Sequence, residues 1–511
     1  MLIRYFLLAA VSCSIVSCSL FRKKIQCDIE SDLSIADQYA ADISKDDLKE
    51  HLSIIASDDY EGRETTMPGQ KKAAAYIENH FKNIGLAPGL GNEGYQQPFP
   101  VKVSDPSKVQ IDIDGNQLTF LEDFYYLGFV SDTSFSNRDI YYIGYGIDQE
   151  GISDYNGIDV KGKFVLVKEG IPENRDDINY EWASWRRKLL AAKSHGAIGM
   201  ITIQESFDQK VEIIRSYLAN PSMQLHEKGL ERTIAIPNIY IHKRVADEII
   251  KYESQETTFL KQKINASFRT AEIKSSENVL GYLEGTDLKD ELVVITAHYD
   301  HIGYDNGEVC NGADDDGSGT VSVLELAESF MKAKKEGNGP RRSILFMTVS
   351  GEEKGLFGSY YYSENPVFPL ESTVADLNID MIGRKDSLHE NTDYVYLIGA
   401  DRISMDLHLI NEQVNKEKVN TGLDYKYNHP NDPNHFYMRS DHYNFAKHGI
   451  PVIFYFSGVH EDYHKPTDDV EKIDFDALQK RSKLVFYTAW ELANRTERIR
   501  INSPKYKEKD E

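Results

Sequence analysis

The sequence predicts an α/β fold, in which a mostly parallel central sheet is flanked by helices and carries an inserted β-rich domain. From about residue 276 onward, apolar strand-like runs alternate with helical stretches, which is typical of a parallel sheet covered by helices. From about 108 to 270, short alternating runs are separated by Gly, Asp and Asn, which is typical of a β-rich unit. A chain of 511 residues with 41% hydrophobic content is long enough for two folded units.

The N-terminus predicts export. Residues 5 to 16 carry no charge, and this run is too short to cross a bilayer but typical of a secretory signal. It closes with Ile15-Val16-Ser17-Cys18, which resembles the bacterial lipobox, where the signal is removed before a cysteine that receives lipid. We therefore expect a signal peptide over 1–17, lipidation of Cys18 and a lipid-anchored protein of the bacterial cell envelope, facing the periplasm or the surface. The alternative is a chance cysteine after an ordinary signal.

Local composition and the spacing of apolar residues also divide the rest of the chain into segments. A polar tether is expected over 18–45, followed by the N-terminal part of the main domain over 46–107, where 48–56 and 69–84 have the apolar spacing of amphipathic helices. The insert covers 108–275, the rest of the main domain 276–500 and a polar tail 501–511. Three of the four cysteines lie near the N-terminus, so no disulfide framework is expected.

The predicted elements of the insert and main domain follow in chain order. The insert contains a helix over 181–195 and a buried strand over 197–203. Strands of the main domain are predicted at 292–297, 343–349, 375–379, 394–398 and 451–456. Helices are predicted at 319–334, 401–419, 440–448 and 474–496.

The charge balance excludes one class of partner. The chain has 58 Lys+Arg against 82 Asp+Glu, a formal net charge of -24, and no basic patch offsets it. Such a surface repels phosphate backbones, so we expect no nucleic-acid binding. The same acids supply the carboxylates that metal ions use as ligands.

Histidines and acids follow four predicted strands of the main domain. His298 follows the first strand, Glu352-Glu353 the second and Asp380 the third, while His464 follows the strand that ends at 456. Ligand sites in open α/β sheets form at the carboxyl ends of strands. A single such residue is more often a surface histidine or a helix cap, but four strand ends together predict a metal centre.

A run of three acids, Asp314-Asp315-Asp316, lies between glycines just before a predicted helix. Adjacent carboxylates repel one another, and a nearby cation relieves that repulsion. A helix cap would explain one of these acids but not three. A calcium loop is a rival, but the alternating ligands and closing Glu of an EF-hand are absent.

Six motifs in order resemble the di-zinc peptidases of the M28 family. They are His298-x-Asp300, the glycine-bounded run 312–319, Ser350-Gly-Glu-Glu353, Asn378-Ile-Asp-Met-Ile-Gly383, Ser440-Asp-His442 and Tyr463-His464-Lys-Pro-Thr-Asp468. The resemblance covers about 276–500 and extends to the stretch 56–69. It implies a zinc-dependent exopeptidase fold. The insert, with Gly144-Tyr-Gly146 and 159–165, is similar to a protease-associated domain, whose protein partners the sequence does not identify.

The resemblance also implies a role for each residue. Asp315 would bridge two zinc ions, with His298 and Glu353 completing one site and Asp380 and His464 the other. Each ion would keep an open position, as catalytic zinc does.

Further roles are implied around these ligands. Asp300 would orient His298 by accepting its ring N–H, and Glu352 would be the general base that takes a proton from the water between the metals. Arg439 and Tyr437 are expected to contact substrate, with a structural role as the alternative.

The expected activity is that of an aminopeptidase that hydrolyses N-terminal residues from peptides. A carboxypeptidase of the same family is the nearest rival, because the metal motifs do not separate the two. A glutaminyl cyclase, which uses a related fold with one zinc, and a non-catalytic binding ectodomain are more distant rivals. The complete ligand set favours a peptidase over both.

Overall fold

The computed structural model describes residues 27–126, 133–219, 221–226, 236–250, 257–269 and 271–502. The predicted signal peptide, Cys18 and most of the predicted polar tail lie outside the described residues. Within these ranges, every helix is too short or too polar to cross a bilayer.

The helices of the described residues cluster in the main domain, with three in the insert. They are α1 (Leu33–Ala40), α2 (Lys45–Ile55), α3 (Pro68–Ile84), α4 (Trp185–Ser194), α5 (Phe207–Ala219), α6 (Lys243–Ile250), α7 (Gly319–Lys335), α8 (Phe357–Glu364), α9 (Met405–Val414), α10 (His442–Lys447) and α11 (Phe475–Asn494).

The strands of the described residues form two large sheets and two short hairpins. The first strands, up to the middle of the insert, are β1 (Ala87–Pro88), β2 (Gln96–Ser104), β3 (Gln110–Ile113), β4 (Asn116–Gln117), β5 (Phe124–Tyr126), β6 (Ser134–Ile143), β7 (Asp148–Gln149), β8 (Ile152–Ser153), β9 (Phe164–Lys168), β10 (Gly199–Gln204) and β11 (Ser222–Leu225). The remaining strands are β12 (Asn238–His242), β13 (Thr257–Ser267), β14 (Ala271–Leu283), β15 (Leu288–His298), β16 (Tyr304–Asp305), β17 (Glu308–Val309), β18 (Arg342–Val349), β19 (Thr373–Ile379), β20 (Tyr394–Ile398), β21 (Gly422–Asp424) and β22 (Val452–Phe456).

The main sheet has the strand order β11-β2-β14-β18-β15-β19-β22-β20-β21, with β1 paired to β14. The four central strands β18, β15, β19 and β22 pair in parallel. Pairing is antiparallel where β14 and β20 join this centre. The predicted α/β architecture is confirmed, and its parallel part is the central block of the sheet.

Apolar side chains bury both faces of this sheet. One face packs against α1, α2, α3, α7 and α11, where the rings of Phe330 and Trp490 stack at 5.7 Å between centroids. The opposite face packs against α8 and α10, where Tyr362 and Phe445 are fully buried. The central strands are apolar on both sides because helices cover both of their faces.

The insert forms its own sheet, with the order β4-β3-β13-β6-β9-β10-β12-β5. Its strands β6, β9, β10 and β12 are parallel, and α4 connects β9 to β10. The predicted insert, 108–275, is not entirely separate from the main domain. Its strand β11 pairs with β2 at the edge of the main sheet.

The segment predicted as a tether is folded in its C-terminal half. Asp32 caps α1 by accepting a hydrogen bond from the backbone N–H of Ser34. The helix then packs on α11, where Tyr39 is buried and stacks on Trp490 at 5.8 Å. The sequence analysis did not predict this helix because the segment is mostly polar. Only four of its residues face the core: Leu33, Ala36, Tyr39 and Ala40.

Candidate metal centre

The predicted ligands stand at the carboxyl ends of the four central strands. His298 is the last residue of β15, and Asp380 directly follows β19. Glu353 lies in the loop after β18, and His464 lies in the loop after β22. Since these strands are parallel, their ends meet at one edge of the sheet, and the side chains converge there as the sequence predicts.

Asp315 reaches the same edge from the turn before α7. The outer acids of its triplet bind backbone instead: the carboxylate of Asp316 accepts a hydrogen bond from the N–H of His298 at 3.2 Å. The Asp468 carboxylate holds the turn by accepting from the N–H groups of Asp314 and Asp315 at 3.0 and 3.1 Å. Only the middle acid therefore points its carboxylate between the two histidines.

The five side chains form two clusters that share the Asp315 carboxylate. His298 Nε2 lies 3.3 Å from Asp315 Oδ1 and 3.7 Å from Asp380 Oδ1. His464 Nε2 lies 3.1 Å from Asp315 Oδ2 and 3.0 Å from Glu353 Oε2. One carboxylate oxygen of Asp315 thus faces each cluster, which is the geometry of a bridging ligand.

This grouping corrects one expectation from the sequence. The expected sites paired His298 with Glu353 and Asp380 with His464, whereas the structure places His298 beside Asp380 and Glu353 beside His464. The reason lies in how far each residue stands from its strand. Strand β15 has both β18 and β19 as neighbours, but Asp380 directly follows β19, beside the end of β15, whereas Glu353 lies farther along the loop after β18, where it meets His464.

The residues present fit metal ions. His464 Nε2 and Asp315 Oδ2 approach to 3.1 Å, yet neither atom has a hydrogen-bond partner among the described residues. Atoms that share a metal ion adopt such a geometry. Imidazole nitrogens and carboxylate oxygens are the ligands that zinc accepts, and each cluster supplies three of them, counting Asp315 in both.

Glu352 lies beside the first cluster without bridging the two. Its Oε2 is 4.0 Å from His298 Nε2, and its backbone N–H donates to the Asp300 carboxylate at 3.2 Å. Burial raises the pKa of Glu352 well above its ordinary range, and the nearby carboxylates of Glu353 and Asp380 act in the same direction. The position and proton affinity suit a group that accepts a proton.

Asp300 contacts His298 differently from the expected arrangement. His298 Nδ1 lies 3.1 Å from the backbone carbonyl oxygen of Asp300, whereas the Asp300 carboxylate is 3.8 Å away. That carboxylate instead accepts a hydrogen bond from the Thr65 hydroxyl at 2.7 Å. Asp300 therefore orients the imidazole through its main chain.

The sequence reasoning missed His301. This histidine is fully buried, its Nδ1 lies 2.9 Å from Glu353 Oε1, and it is 3.8 Å from Asp315 Oδ2. His301, Asp315 and Glu353 lie close enough together to hold a metal ion between them. The signal was available in the sequence, since His301 follows His298 by three residues directly after a strand.

A cleft with an apolar wall opens beside the first cluster. Besides metal-centre residues it is lined by Met381, Phe436, Arg439, Phe454, Phe456, Val459 and Tyr463. Arg439 is exposed and lines this cleft, with its guanidinium 4.9 Å from the Phe436 ring centroid, and its contact with substrate stays a prediction. Tyr437 does not line the cleft. Its ring packs 3.7 Å from the Arg402 guanidinium and against His442, which favours a structural role.

Comparison with known proteins agrees with the resemblance in the main domain. Residues 278–489 match Peptidase family M28. A probable leucine aminopeptidase of Arthroderma benhamiae is 31% identical over 211 residues, which is 40% of this chain and 55% of that protein. Aminopeptidase YwaD of Bacillus subtilis is 24% identical over 353 residues, 65% of this chain and 63% of that protein. The chain therefore spans between half and two thirds of the length of these two relatives.

A solved structure resembles nearly the whole chain. The aminopeptidase from Aneurinibacillus sp. strain AM-1 superposes with a TM-score of 0.52, at 20% identity, over 91% of this chain and 98% of that chain. At this identity the likeness establishes the fold, insert included.

Proposed function

We propose that this chain is a di-zinc aminopeptidase of the M28 type, which removes N-terminal residues from peptides. The observation that carries the proposal is the pair of ligand clusters sharing Asp315, with Glu352 beside them and a cleft alongside. The names of the relatives support the same activity.

His298, Asp315 and Asp380 would hold one zinc ion, and Asp315, Glu353 and His464 the other. Bound zinc would supply Lewis-acid polarisation of the scissile carbonyl and a lowered pKa of the attacking water. Backbone hydrogen bonds hold the Asp315 turn, His298 and Asp380 stand at strand ends, and Glu353 and His464 lie in the loops after β18 and β22.

Glu352 is the general base of the proposed reaction. Its carboxylate takes a proton from the attacking water and returns it to the departing amine, a role that contributes about 10²–10⁴-fold in rate. Its side chain lines the cleft and is 11% exposed, and its backbone N–H bond to Asp300 keeps the carboxylate facing the ligands.

The wall of the cleft indicates the substrate side chain. Phe436, Phe454, Phe456 and Met381 present apolar surface next to His298 and Asp380. The cleft is small, about 30 Å³, and these four side chains are at most 7% exposed, so the wall offers apolar contact to a small side chain rather than room for a large ring. We therefore propose that peptides beginning with apolar residues are preferred.

Arg439 favours one second candidate, a carboxypeptidase. It is the single lysine or arginine among the residues that line the cleft in the described part of the chain, and it forms no ion pair there. A guanidinium in that position suits the terminal carboxylate of a peptide substrate. The same residue also suits the carbonyl oxygen next to the cleaved bond in an aminopeptidase.

A peptide panel separates these possibilities. We expect the zinc-loaded protein to contain two zinc ions per chain and to cleave free-amine peptides with apolar first residues, but not N-acetylated ones. A chelator should abolish activity and added zinc should restore it. Glu352→Gln should lower kcat by about 10²–10⁴-fold with both zinc ions retained, whereas Glu461→Gln, an exposed neighbour of the centre, should have no effect.

Two outcomes would reject the aminopeptidase. Cleavage of N-acetylated peptides from the free carboxyl end would establish the carboxypeptidase. Bound zinc without cleavage of any peptide would favour the cyclase or the binding ectodomain, which cyclisation of an N-terminal glutamine then distinguishes.

We also propose, from the sequence pattern at 1–18, that the protein is exported and held at the membrane by lipid on Cys18. Cys18→Ser should move the protein from the membrane fraction to the soluble fraction of the cell envelope, whereas Cys13→Ser should leave it in place. Equal membrane retention of both variants would contradict the lipid anchor.

A further inference from the structure

The insert contains a cavity that is separate from the metal centre. It has a volume of about 190 Å³ and shares no lining residue with the cleft beside the zinc ligands. It opens near the carboxyl ends of the parallel strands β9 and β10, where Glu169 directly follows β9 and Gln204 ends β10. Ligands of parallel sheets bind at this end of the strands. The volume lies below the about 300–1,000 Å³ of sites for drug-sized molecules, so the cavity suits a small ligand.

The cavity contains a buried lysine without a carboxylate partner. Lys188, on α4, is 2% exposed, and its ammonium donates to the backbone carbonyls of Lys168 at 2.8 Å and Gly170 at 2.5 Å. An ammonium group has three donors and these carbonyls take two of them; Lys188 lines the cavity, with its Nζ also 5.6 Å from the Tyr145 ring centroid. Within the described residues, no carboxylate lies within ion-pair distance of Lys188. Burial lowers the pKa of Lys188 to about 8, so an anion beside it would favour the charged form.

The remaining lining combines both charges with aromatic surface. Lys210 is a second, exposed cation at the cavity, and Glu169 is an exposed carboxylate. Glu169 accepts a hydrogen bond from the buried Gln204 side chain, which fixes one of its oxygens at the wall. The rings of Tyr125 and Tyr240 stack at 4.7 Å, and Trp185 completes the apolar surface.

This combination matches a zwitterion with a short side chain. A carboxylate would receive the unused Lys188 donor, a primary ammonium would face Glu169, and an apolar side chain would contact the aromatic rings. A purely anionic ligand would meet repulsion from Glu169, and a purely cationic one would meet Lys188 and Lys210. An α-amino acid carries both charges on one carbon and is small enough for the cavity.

We propose that the insert binds a free amino acid in this cavity, with its carboxylate on Lys188, its amine facing Glu169 and its side chain against Tyr240 and Trp185. The site is distinct from the metal centre and does not depend on the proposed peptidase activity. Amino acids would nevertheless be the products of that activity.

The ligand chemistry can be tested with the zinc-loaded full chain. L-leucine should cause a saturable change in tryptophan fluorescence, because Trp185 lines the cavity, and Trp185→Phe should abolish it. L-leucinol, which lacks the carboxylate, and N-acetyl-L-leucine, which lacks the free amine, should each bind at least about tenfold more weakly, as expected when a charge-assisted hydrogen bond is lost. Equal binding of leucine and leucinol would overturn the proposal, as would the absence of a saturable change.

A pair of lysine variants tests whether leucine binds in this cavity. Lys188→Met should weaken leucine binding at least about tenfold without weakening leucinol binding, because only leucine has the carboxylate that pairs with Lys188 and the cationic leucinol loses a repulsion. Lys193→Met, on the exposed side of the same helix, is the matched control. Peptide hydrolysis should be unchanged in both variants, which separates this site from leucine bound as product at the metal centre.

A second variant covers the case in which Lys188→Met fails to fold. Glu169 is exposed, so Glu169→Gln should fold normally and weaken leucine binding without weakening that of N-acetyl-L-leucine, an anion that loses a repulsion. If leucine binding is insensitive to Glu169→Gln and to a folded Lys188→Met, the proposal is wrong.

Discussion

His301 is the residue near the metal centre that the sequence reasoning missed. Its ring nitrogen holds one oxygen of Glu353 at 2.9 Å, while the other oxygen faces His464 at 3.0 Å. Groups that orient a metal ligand in this way are typically worth about 10–100-fold in metal affinity. In the sequence it reads as an ordinary histidine, because the motif spacing already accounts for His298 and His464.

We predict that His301→Ala weakens the binding of one zinc ion by about 10–100-fold and leaves the other unchanged. His301→Gln should recover part of the loss, since an amide N–H can still donate to Glu353. The measurement is competition for zinc with a chelator of known affinity, monitored by the metal content of the protein. The exposed pair of His448 and Glu364 provides the control His448→Ala. Wild-type affinity for both ions in His301→Ala would make His301 a packing residue only.

At the scale of elements, the sequence predicts which strands end in ligands but not how those ligands group. The predicted strand 394–398 coincides with β20, and the helix predicted over 69–84 starts one residue earlier, at Pro68. These elements were readable because apolar periodicity is local. The pairing of His298 with Asp380 depends on β15 lying next to β19, and strand order is a property of the whole sheet. Local sequence patterns therefore do not predict which strands are neighbours.

The packing of α2, α3 and α7 buries a group of titratable side chains. Glu325 is 4% exposed and lies 3.5 Å from His51, which stacks edge-on against His80. Burial raises the pKa of Glu325 from 4.5 to about 8, and the carboxylates of Asp47 and Glu328 act in the same direction. Burial likewise lowers the pKa of His80 to about 4, followed by repulsion from His51. Glu325 and His80 are therefore mostly uncharged near neutral pH.

These shifts predict a pH-dependent gain of stability in Glu325→Gln. Below the ordinary pKa of 4.5 both the folded and the unfolded chain hold the proton, so ionisation of Glu325 does not lower the free energy of unfolding. As the pH rises through 4.5 towards 8 the unfolded chain releases the proton first, so the free energy of unfolding of the wild type falls. The variant lacks this loss, and its advantage should grow to a few kcal/mol by pH 8, since one pKa unit is about 1.4 kcal/mol.

Urea unfolding at several pH values between 5 and 8, with zinc present throughout, measures this advantage as a difference between variant and wild type. Glu371→Gln is the control, because its carboxylate is exposed and water screens it. A difference that stays constant with pH would show that Glu325 has an ordinary pKa in the folded protein.

At the scale of the whole molecule, the chain enters and leaves the insert at neighbouring positions of the main sheet. The last residue of β2, Ser104, is the register partner of Ala271, the first residue of β14. The chain thus leaves the sheet and returns to it at adjacent positions. The change in composition and apolar spacing near 108 and 275 indicated the insert. The pairing of β11 with β2 of the main sheet could not be predicted, because a four-residue edge strand is too short to show a recognisable apolar pattern.

This connection predicts that the insert can be removed without loss of the metal centre. Replacing residues 105–270 by Asn-Gly joins Ser104 to Ala271 through a two-residue hairpin, which suits adjacent antiparallel strands. The shortened protein should fold, bind two zinc ions and cleave dipeptide substrates, because no ligand lies in the insert. Its solubility should fall, since loss of β11 uncovers Val103 and leaves β2 as an edge strand. Circular dichroism, zinc content and hydrolysis rates test this, with Val103→Thr in the shortened chain as the variant expected to recover solubility. A soluble product without zinc would instead mean that the insert is needed to form the metal centre.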